Sequence, residues 1–379
     1  MSWPRDDAKL DRVRALMADR DLDALVVRAP DNVLYLSNYW CMKGYDVVVF
    51  PREGDSTLVV MEPQLEEASG SAWTQDLRPF KGYDASDPRP AWARSTDLAR
   101  EVCRERGLQR VGLELSQGTQ VADRMVGEPT VFTEEFFHAF GAAEDAAPLL
   151  AEARTIKTEQ EVERMRQAND LAAAATEHVA DNVRPGMKES DVAAMWEGYV
   201  LAEGGGSARG YSLVWSGPGI RTFTATGDRP VQENEPTLLE IWVCVDGYWC
   251  DHTKNVCPAE LTAAYDELLD QLLEVFNAAV AHAQDGASLP ELDRLVREGI
   301  ARAGYPGQPS HPICHGVGAR AHEPPYAHQA GSGTIREGMV LAIEPGIYWE
   351  GGGGLRLEDN FLITADGPEK LCRYPDDFR

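Results

Sequence analysis

The sequence has few lysines, no paired cysteines and no long apolar run. Only seven of its 36 basic residues are lysines, against 62 acidic residues, and the formal net charge is −26. Such a charge disfavours non-specific binding to nucleic acid or anionic membranes, because both partners would be negative. An acidic, lysine-poor composition is typical of salt-adapted proteins, and a GC-rich genome would also favour arginine over lysine.

The seven cysteines are scattered without a CxxC pair. Neither a disulfide framework nor a zinc ribbon is therefore indicated. No run approaches the roughly 18 apolar residues of a membrane span, and the N-terminus MSWPRDDAKLDR is charged where a secretory signal would be apolar. We expect a cytoplasmic protein that binds neither membrane nor nucleic acid.

At 379 residues the chain exceeds the roughly 250 to 300 at which one hydrophobic core stops growing, which favours two domains. We predict an α/β N-terminal domain at 1–152 and a second domain at 153–379. The apolar patterns of the first domain predict helices at Lys9–Met17 and Asp97–Arg106, and strands at Ala24–Arg28, Val33–Leu36, Tyr45–Phe50, Thr57–Met61 and Val111–Leu115.

Helix signals open the second domain. Thr158 with Glu161 forms a capping box before an amphipathic stretch, and Ser288 with Glu291 repeats the signal further on. Further helices are predicted from about Ser190 to the glycine run at 204–206, at Ala263–Gln284 and at Leu289–Ala303.

Two hairpin patterns bring carboxylates together. Strands at Leu238–Val245 and Tyr248–Val256 are separated by Asp246-Gly247, a strong two-residue turn signal, so Glu240 and Asp251 can point at one place. A second hairpin has strands at Met339–Trp349 and Leu355–Ile363, with the turn at Gly351–Gly354, and brings Glu344 and Glu358 together.

His315 lies between these hairpins in a glycine-flanked CHGVG segment. With it, the chain carries four carboxylates and one imidazole in ordered segments. Oxygen-rich ligation with one histidine suits hard or borderline divalent cations.

These segments resemble the metallopeptidase superfamily of prolidase, aminopeptidase P, methionine aminopeptidase and creatinase, and are closest in motif to Xaa-Pro dipeptidases. One part of the resemblance is the spacing of eleven residues between Glu240 and Asp251. The other part is four short segments: His-Gly-x-Gly, His-Glu-x-Pro, Ile-Glu-Pro-Gly and Arg-x-Glu-Asp. The matching residues are Gly247, Tyr248, Asp251, Thr253, Lys254, His315, His322, Glu344 and Glu358.

The resemblance extends to the first domain. It implies a creatinase/prolidase-like N-terminal α/β domain followed by an α+β pita-bread catalytic domain with a curved antiparallel sheet, and a homodimer. It also implies two divalent metal ions with a bridging water, manganese first, with cobalt, zinc or iron as alternatives. The metal ligands would be Glu240, Asp251, His315, Glu344 and Glu358. Glu344 would also be the general acid/base, His322 would stabilise the oxyanion, His311 would bind substrate or shuttle a proton, and Arg356 would hold a carboxylate.

Two departures from the family pattern bear on the substrate. Glu240 stands where the family has its first metal aspartate, and adds a methylene. Thr224 stands near the position where peptidases of this group place a substrate-binding histidine, after Gly217-Pro218-Gly219. Thr224 is therefore a candidate substrate-binding residue for a substrate that differs from a standard Xaa-Pro peptide.

Four functions follow as hypotheses. The first is a metal-dependent Xaa-Pro dipeptidase or aminopeptidase P-like exopeptidase. The alternative is a creatinase-like or ectoine-hydrolase-like enzyme that cleaves a non-peptide C–N bond in a small nitrogen compound, which Glu240 and Thr224 favour and Asp251 disfavours. A lyase acting on a small sulfur osmolyte and a non-catalytic binding module on the same fold are the others.

Overall fold

The computed structural model describes residues 3–41, 45–114, 130–141, 143–222, 224–349 and 351–379. The chain forms two compact units, Met1–Arg154 and Thr155–Arg379. Their junction lies two residues beyond the domain boundary predicted from the sequence. Within the described ranges, every helix is too short or too polar to cross a membrane.

The first unit is a six-stranded mixed sheet with helices along the chain between its strands. The strand order is β4-β3-β2-β1-β5-β6, with β2 antiparallel to both β1 and β3 and the other pairs parallel. Its elements are α1 Asp7–Asp19, β1 Ala24–Val27, α2 Pro30–Ser37, β2 Val47–Pro51, β3 Thr57–Met61, a 3₁₀ turn Glu62–Gln64, α3 Leu65–Ser71, β4 Asp76–Phe80, α4 Ala91–Glu105, β5 Val111–Leu113, α5 Thr130–Ala139, β6 Glu144–Asp145 and α6 Ala147–Thr155.

The valine-rich strands of this sheet are buried on both faces. Val26 and Val49 belong to one core cluster, and Val27 and Val48 to another. Because side chains alternate across a strand, a sheet covered on both sides needs continuous apolar runs. The α/β prediction for this unit is therefore confirmed.

The predicted strand at Val33–Leu36 is wrong, since these residues lie in α2. Pro30 occupies the first turn, where a missing N–H costs nothing, and the backbone N–H of Arg28 and the Asn32 side chain donate to the buried Glu114 carboxylate. A short apolar run does not distinguish helix from strand, and these contacts with a distant carboxylate hold the start of the helix. The strand predicted at Val111–Leu115 ends at Leu113, and Leu115 lies outside the described residues.

The second unit contains antiparallel sheets and two pairs of helices. A three-stranded sheet has the order β7-β8-β9, a five-stranded sheet the order β11-β10-β12-β15-β16, and β13 pairs with β14. Its elements are α7 Glu159–Asn182, α8 Glu189–Gly204, β7 Ala208–Ser216, a 3₁₀ turn Gly217–Gly219, β8 Thr237–Val245, β9 Tyr248–Val256, α9 Ala263–His282, α10 Leu289–Arg302, β10 Cys314–Gly316, β11 Glu323–Tyr326, β12 Val340–Ile343, β13 Gly346–Trp349, β14 Gly353–Arg356, β15 Asp359–Thr364 and β16 Gly367–Lys370.

Local signals set these helices as the sequence predicts. The capping box of Thr158 and Glu161 starts α7, and the Ser288 side chain accepts from the Glu291 N–H at the start of α10. Helices α7 and α8 pack on β7–β9, whereas α9 and α10 pack on the five-stranded sheet. Each sheet therefore keeps its opposite face for the site.

Candidate metal centre

The first hairpin places two of the predicted ligands on one face. Asp246 and Gly247 both have positive φ, as a two-residue hairpin turn requires. In the resulting register Glu240 lies opposite Thr253 and Trp242 lies opposite Asp251. Cross-strand partners share a face, so Glu240 and Asp251 are diagonal neighbours on the same side of the sheet.

The second hairpin is interrupted where its glutamates stand. The predicted continuous strands at Met339–Trp349 and Leu355–Ile363 are wrong in this respect, because each divides into two: β12 with β13, and β14 with β15. Pro345, which has no N–H to donate, lies in one break. Both halves keep one register, which leaves Glu344 and Glu358 facing each other across the breaks.

His315 reaches the same place from β10, next to β12 in its sheet. Its Nδ1 lies 2.9 Å from the Gly316 carbonyl oxygen, which assigns the proton to Nδ1 and leaves a lone pair on Nε2. That Nε2 lies 3.6 Å from Asp251 Oδ2 and 3.5 Å from Glu344 Oε1. The imidazole therefore offers a ligand atom between two carboxylates.

Side chains near the ligands join the two hairpins. The Thr253 hydroxyl donates to Glu358 Oε2 at 2.7 Å. The Asn360 amide donates to the Asp251 carbonyl at 2.7 Å and accepts from its N–H at 3.0 Å. Sequence reasoning assigned no role to Asn360, because only the folded pairing of the hairpins brings it to Asp251.

The five predicted ligands are brought together. Their ligand atoms lie within 4.8 Å of one another in overlapping groups: Glu240 with Asp251 and Glu358, His315 with Glu344 and Glu358, and Asp251 with His315 and His322. Glu240 is partly buried and the other four ligands are buried.

The electrostatics of this set fit divalent cations. Both carboxylate oxygens of Asp251 and the Nε2 atom of His315 are buried. None of these three atoms has a hydrogen-bond partner among the described residues. Burial and the Glu358 carboxylate raise the pKa of Asp251 and of Glu344 well above their usual values. Crowded buried carboxylates favour a bound cation, because positive charge offsets both their repulsion and their lost hydration.

Arg356 supplies positive charge at one edge of the set. Its guanidinium pairs closely with Glu240, and its Nε donates to the Thr253 hydroxyl at 2.6 Å. Burial lowers its pKa to about 10. The contact seen is with a predicted ligand, and the binding of a substrate carboxylate by Arg356 stays a prediction.

His311 and His322 flank the ligands on two sides. His311 Nδ1 lies 3.2 Å from Glu344 Oε2, and its Nε2 lies 3.1 Å from the Tyr348 hydroxyl. His322 stacks on His315 with ring centroids 4.1 Å apart, and a quarter of its side chain is exposed. Burial lowers the pKa of His322 to about 2, with a smaller effect of His315. Sequence reasoning missed Tyr348, which carries no motif signal.

Two other predictions have different outcomes. His252 points to the opposite face of β9, as strand alternation predicts, with its Nδ1 3.3 Å from Asp359 Oδ1. Thr224 is exposed in the segment between the 3₁₀ turn at Gly217–Gly219 and β8, and it is not a member of the ligand groups. Its role in substrate binding stays a prediction.

Antiparallel strands that bring carboxylates and a histidine together are typical of metallohydrolases. Residues 163–365 match metallopeptidase family M24, and residues 9–126 match the creatinase/prolidase N-terminal domain. The chain belongs to metallopeptidase family M24 and has the pita-bread fold. The predicted family, fold class and hydrolase activity are thereby confirmed, and the family implies divalent metal ions.

Relatives match over nearly the whole chain. An Xaa-Pro dipeptidase of Pyrococcus horikoshii is 26% identical over 374 residues, 96% of this chain and 97% of the relative. An uncharacterized peptidase of Bacillus subtilis, YqhT, is 25% identical over 370 residues, covering 97% and 98%. The crystal structure of a prolidase from Pyrococcus horikoshii superposes with a TM-score of 0.82 at 25% identity, covering 98% of this chain and 100% of that one.

Proposed function

We propose that the protein is a divalent-metal-dependent exopeptidase of the Xaa-Pro dipeptidase or aminopeptidase P kind. The observation that carries the proposal is the buried set of four carboxylates and one imidazole in which Asp251 has both oxygens without a partner among the described residues. The names of similar proteins support a peptide substrate with proline after the scissile bond. The proposal includes manganese as the metal, a homodimer and a cytoplasmic location.

The ligand residues would be Glu240, Asp251, His315, Glu344 and Glu358. When bound, divalent ions lower the pKa of a water molecule and polarise the carbonyl under attack. Because most of these carboxylates are buried, the site would limit the access of bulk water to the substrate's reacting bond.

The proton is handled by the chain's own residues. Glu344 Oε2 lies 3.2 Å from His311 Nδ1, which donates to the Pro312 carbonyl 2.6 Å away, while the Tyr348 hydroxyl lies 3.1 Å from the other ring nitrogen. The Nδ1–H of His311 would therefore hold the Glu344 carboxylate in place while that carboxylate accepts and returns the proton. His322 is the more exposed of the two flanking histidines, and it is placed to donate to the carbonyl oxygen of the substrate.

Metal content tests the centre. Protein incubated with Mn²⁺ and freed of excess should retain about two ions per chain by elemental analysis, whereas Asp251→Asn and Glu240→Gln should each retain fewer. Glu260→Gln is the matched control, because this carboxylate is exposed just beyond β9. Wild-type protein that retains no Mn²⁺ or Co²⁺ would contradict the dinuclear site.

Substrate panels test the reaction. Ala-Pro and Met-Pro separate a dipeptidase from an aminopeptidase P, which would require a longer peptide such as Ala-Pro-Ala, and Ala-Ala controls for dependence on proline. Hydrolysis of the proline peptides should need added metal and be lost in Asp251→Asn. A metal-loaded enzyme that cleaves none of them would overturn the peptidase assignment while leaving the centre intact.

The close pair of Glu240 and Arg356 favours a second candidate, hydrolysis of a non-peptide C–N bond as in creatinase-like or ectoine-hydrolase-like enzymes. A carboxylate held by a guanidinium can act as an acid or base instead of a ligand. Creatine and cyclic amidines are the test substrates. Their turnover by metal-free protein, lost in Glu240→Gln, would establish this function in place of the first.

A further inference from the structure

Trp242 stands directly opposite one of the proposed metal ligands. In the register of β8 and β9 it pairs with Asp251, and partners across antiparallel strands project from the same face. Their Cβ atoms are therefore about 4.5–5.5 Å apart, within the reach of an indole ring. The turn at Asp246-Gly247 fixes this register, since a slip of one residue between the strands would place the two side chains on opposite faces.

Both side chains carry buried polar atoms that lack a partner. The indole Nε1–H of Trp242 and both carboxylate oxygens of Asp251 complete no hydrogen bond within the part of the chain that the structure describes. A buried polar group left unpaired destabilises the folded protein, so a donor and an acceptor that face each other favour a hydrogen bond between them.

Packing fixes the direction of the indole. Trp242 is 4% exposed and belongs to a buried cluster with Leu213, Trp215 and Leu238. The Tyr211 ring lies beside it, with centroids 5.6 Å apart and planes inclined by 36°. A ring packed in this way turns little, so its N–H keeps one direction while the carboxylate adjusts to it.

We propose that Trp242 is a positioning residue of the metal centre, whose indole N–H donates to the Asp251 carboxylate and orients it towards the cations. Outer hydrogen bonds of this kind hold metal-binding carboxylates, and their loss typically weakens metal affinity about 10–100-fold. The effect on metal affinity rests on the proposed function, whereas the contact between the two side chains is independent of it.

Trp215 provides a matched control. It belongs to the same cluster, it is 3% exposed, and its indole N–H also lacks a partner among the described residues. In the sheet, however, it lies opposite Leu238, which offers no carboxylate. Trp215→Phe and Trp242→Phe therefore remove the same group from the same apolar surroundings, and only the second removes a donor to Asp251.

The contact is tested in chelator-treated protein by the indole N–H resonances of its nine tryptophans. The two phenylalanine variants assign the signals of Trp242 and Trp215. Asp251→Asn should move the Trp242 signal more than any other and leave that of Trp215 in place. A Trp242 signal that does not respond to Asp251→Asn would overturn the proposal, whether or not the protein binds metal.

Calorimetric titration with Co²⁺ tests the consequence. Trp242→Phe should bind about 10–100-fold more weakly than wild type, and Trp215→Phe should bind as wild type does. Equal weakening in both variants would assign the effect to packing and overturn the positioning role. If Trp242→Phe binds normally while Asp251→Asn does not, the inference fails and the metal centre stands. If the wild type binds no Co²⁺, the proposed function fails, and the indole resonances alone decide the contact.

Discussion

Glu240 differs from the other predicted ligands because it shares its carboxylate with a guanidinium. Arg356 contacts both Glu240 and Thr253, and Thr253 donates to Glu358, so the ion pair is part of a network that reaches a second ligand. A cation entering beside Glu240 therefore competes with Arg356 for Oε2 of this carboxylate. Compared with aspartate, the extra methylene of glutamate adds roughly 1.5 Å of reach.

Shortening that side chain should favour the metal. In Glu240→Asp the carboxylate draws back from Arg356, and we expect binding of the second ion to tighten about tenfold, within the range that outer contacts produce. Calorimetric titration with Co²⁺ measures it, with Glu260→Asp as the control. Weaker binding of both ions would show instead that the longer side chain is needed to reach the site.

A further buried carboxylate, Glu114, is far from this centre in sequence and lies in the first unit. It accepts from the Arg28 N–H at 2.5 Å and from the Asn32 amide at 2.8 Å, at the start of α2. Burial raises its pKa from 4.5 to about 7 despite these donors. Folding therefore favours the protonated carboxyl, and ionisation in the folded protein carries a cost.

Stability should depend on pH through this residue. Its folded-state pKa lies above the unfolded value, so its contribution is complete below pH 4.5 and is lost as the pH rises through about 7, up to about 3 kcal/mol. Glu114→Gln should flatten this dependence in urea unfolding between pH 5 and 8. Glu144→Gln, an exposed carboxylate on β6, should not, and an unchanged slope in Glu114→Gln would contradict the assignment.

Residues with a motif around them were predictable, and their partners were not. Asp251, His315 and Glu358 carry characteristic neighbours in the sequence, so chemistry and spacing indicate them without a structure. Trp242 and Tyr348 have no such neighbours. Their positions follow from strand register and from packing between distant segments, which a local pattern does not encode.

At the scale of elements, the hairpins position the site through their irregularities. The ligands of the second hairpin stand in the breaks between β12 and β13 and between β14 and β15. The start of β14 also lies against the 3₁₀ turn at Gly217–Gly219, because a Cβ at Gly353 would overlap the Gly217 carbonyl. That 3₁₀ turn precedes the segment containing Thr224.

Two glycines, one before β14 and one at its start, allow the contact to be measured. Gly351 and Gly353 have φ of +78° and +79°, but among the described residues a Cβ on Gly351 would meet nothing within 4 Å. Gly351→Ala should therefore cost about 1–2 kcal/mol from backbone strain alone. Gly353→Ala adds an overlap that typically costs about 1–3 kcal/mol more. Thermal unfolding compares them, and equal losses would mean that the Gly217 turn yields freely.

The elements themselves show where local patterns suffice. The Asp246-Gly247 turn fixed the first hairpin, and capping residues fixed the starts of α7 and α10. The run Val33–Leu36 was assigned wrongly because a short apolar run fits a helix as well as a strand, and the start of its helix is held by Glu114, some eighty residues away. The prediction failed at a helix whose first turn is held by a side chain from a distant part of the sequence.

At the scale of the whole molecule, net charge is the dominant feature. A charge of −26 on 379 residues opposes compaction, because the carboxylates repel one another. Many of the chain's arginines pair with surface carboxylates, yet such exposed pairs contribute little individually. The buried Lys254 and Asp359, with Nζ and Oδ2 2.6 Å apart, are an exception on the face of β9 that points away from the ligands.

Salt should therefore stabilise the protein. Raising ionic strength from about 0.01 M to about 1 M shortens the Debye length from about 30 Å to about 3 Å and screens the repulsion. We expect the unfolding midpoint of chelator-treated protein to rise by several degrees, at about 2–4 °C per kcal/mol gained. NaCl and KCl should act equally, since screening depends on ionic strength. A rise with only one of the two salts would indicate a specific ion site. No rise with either salt would show that the acidic surface carries no net destabilising repulsion. That result would favour a GC-rich genome over salt adaptation as the origin of the arginine bias.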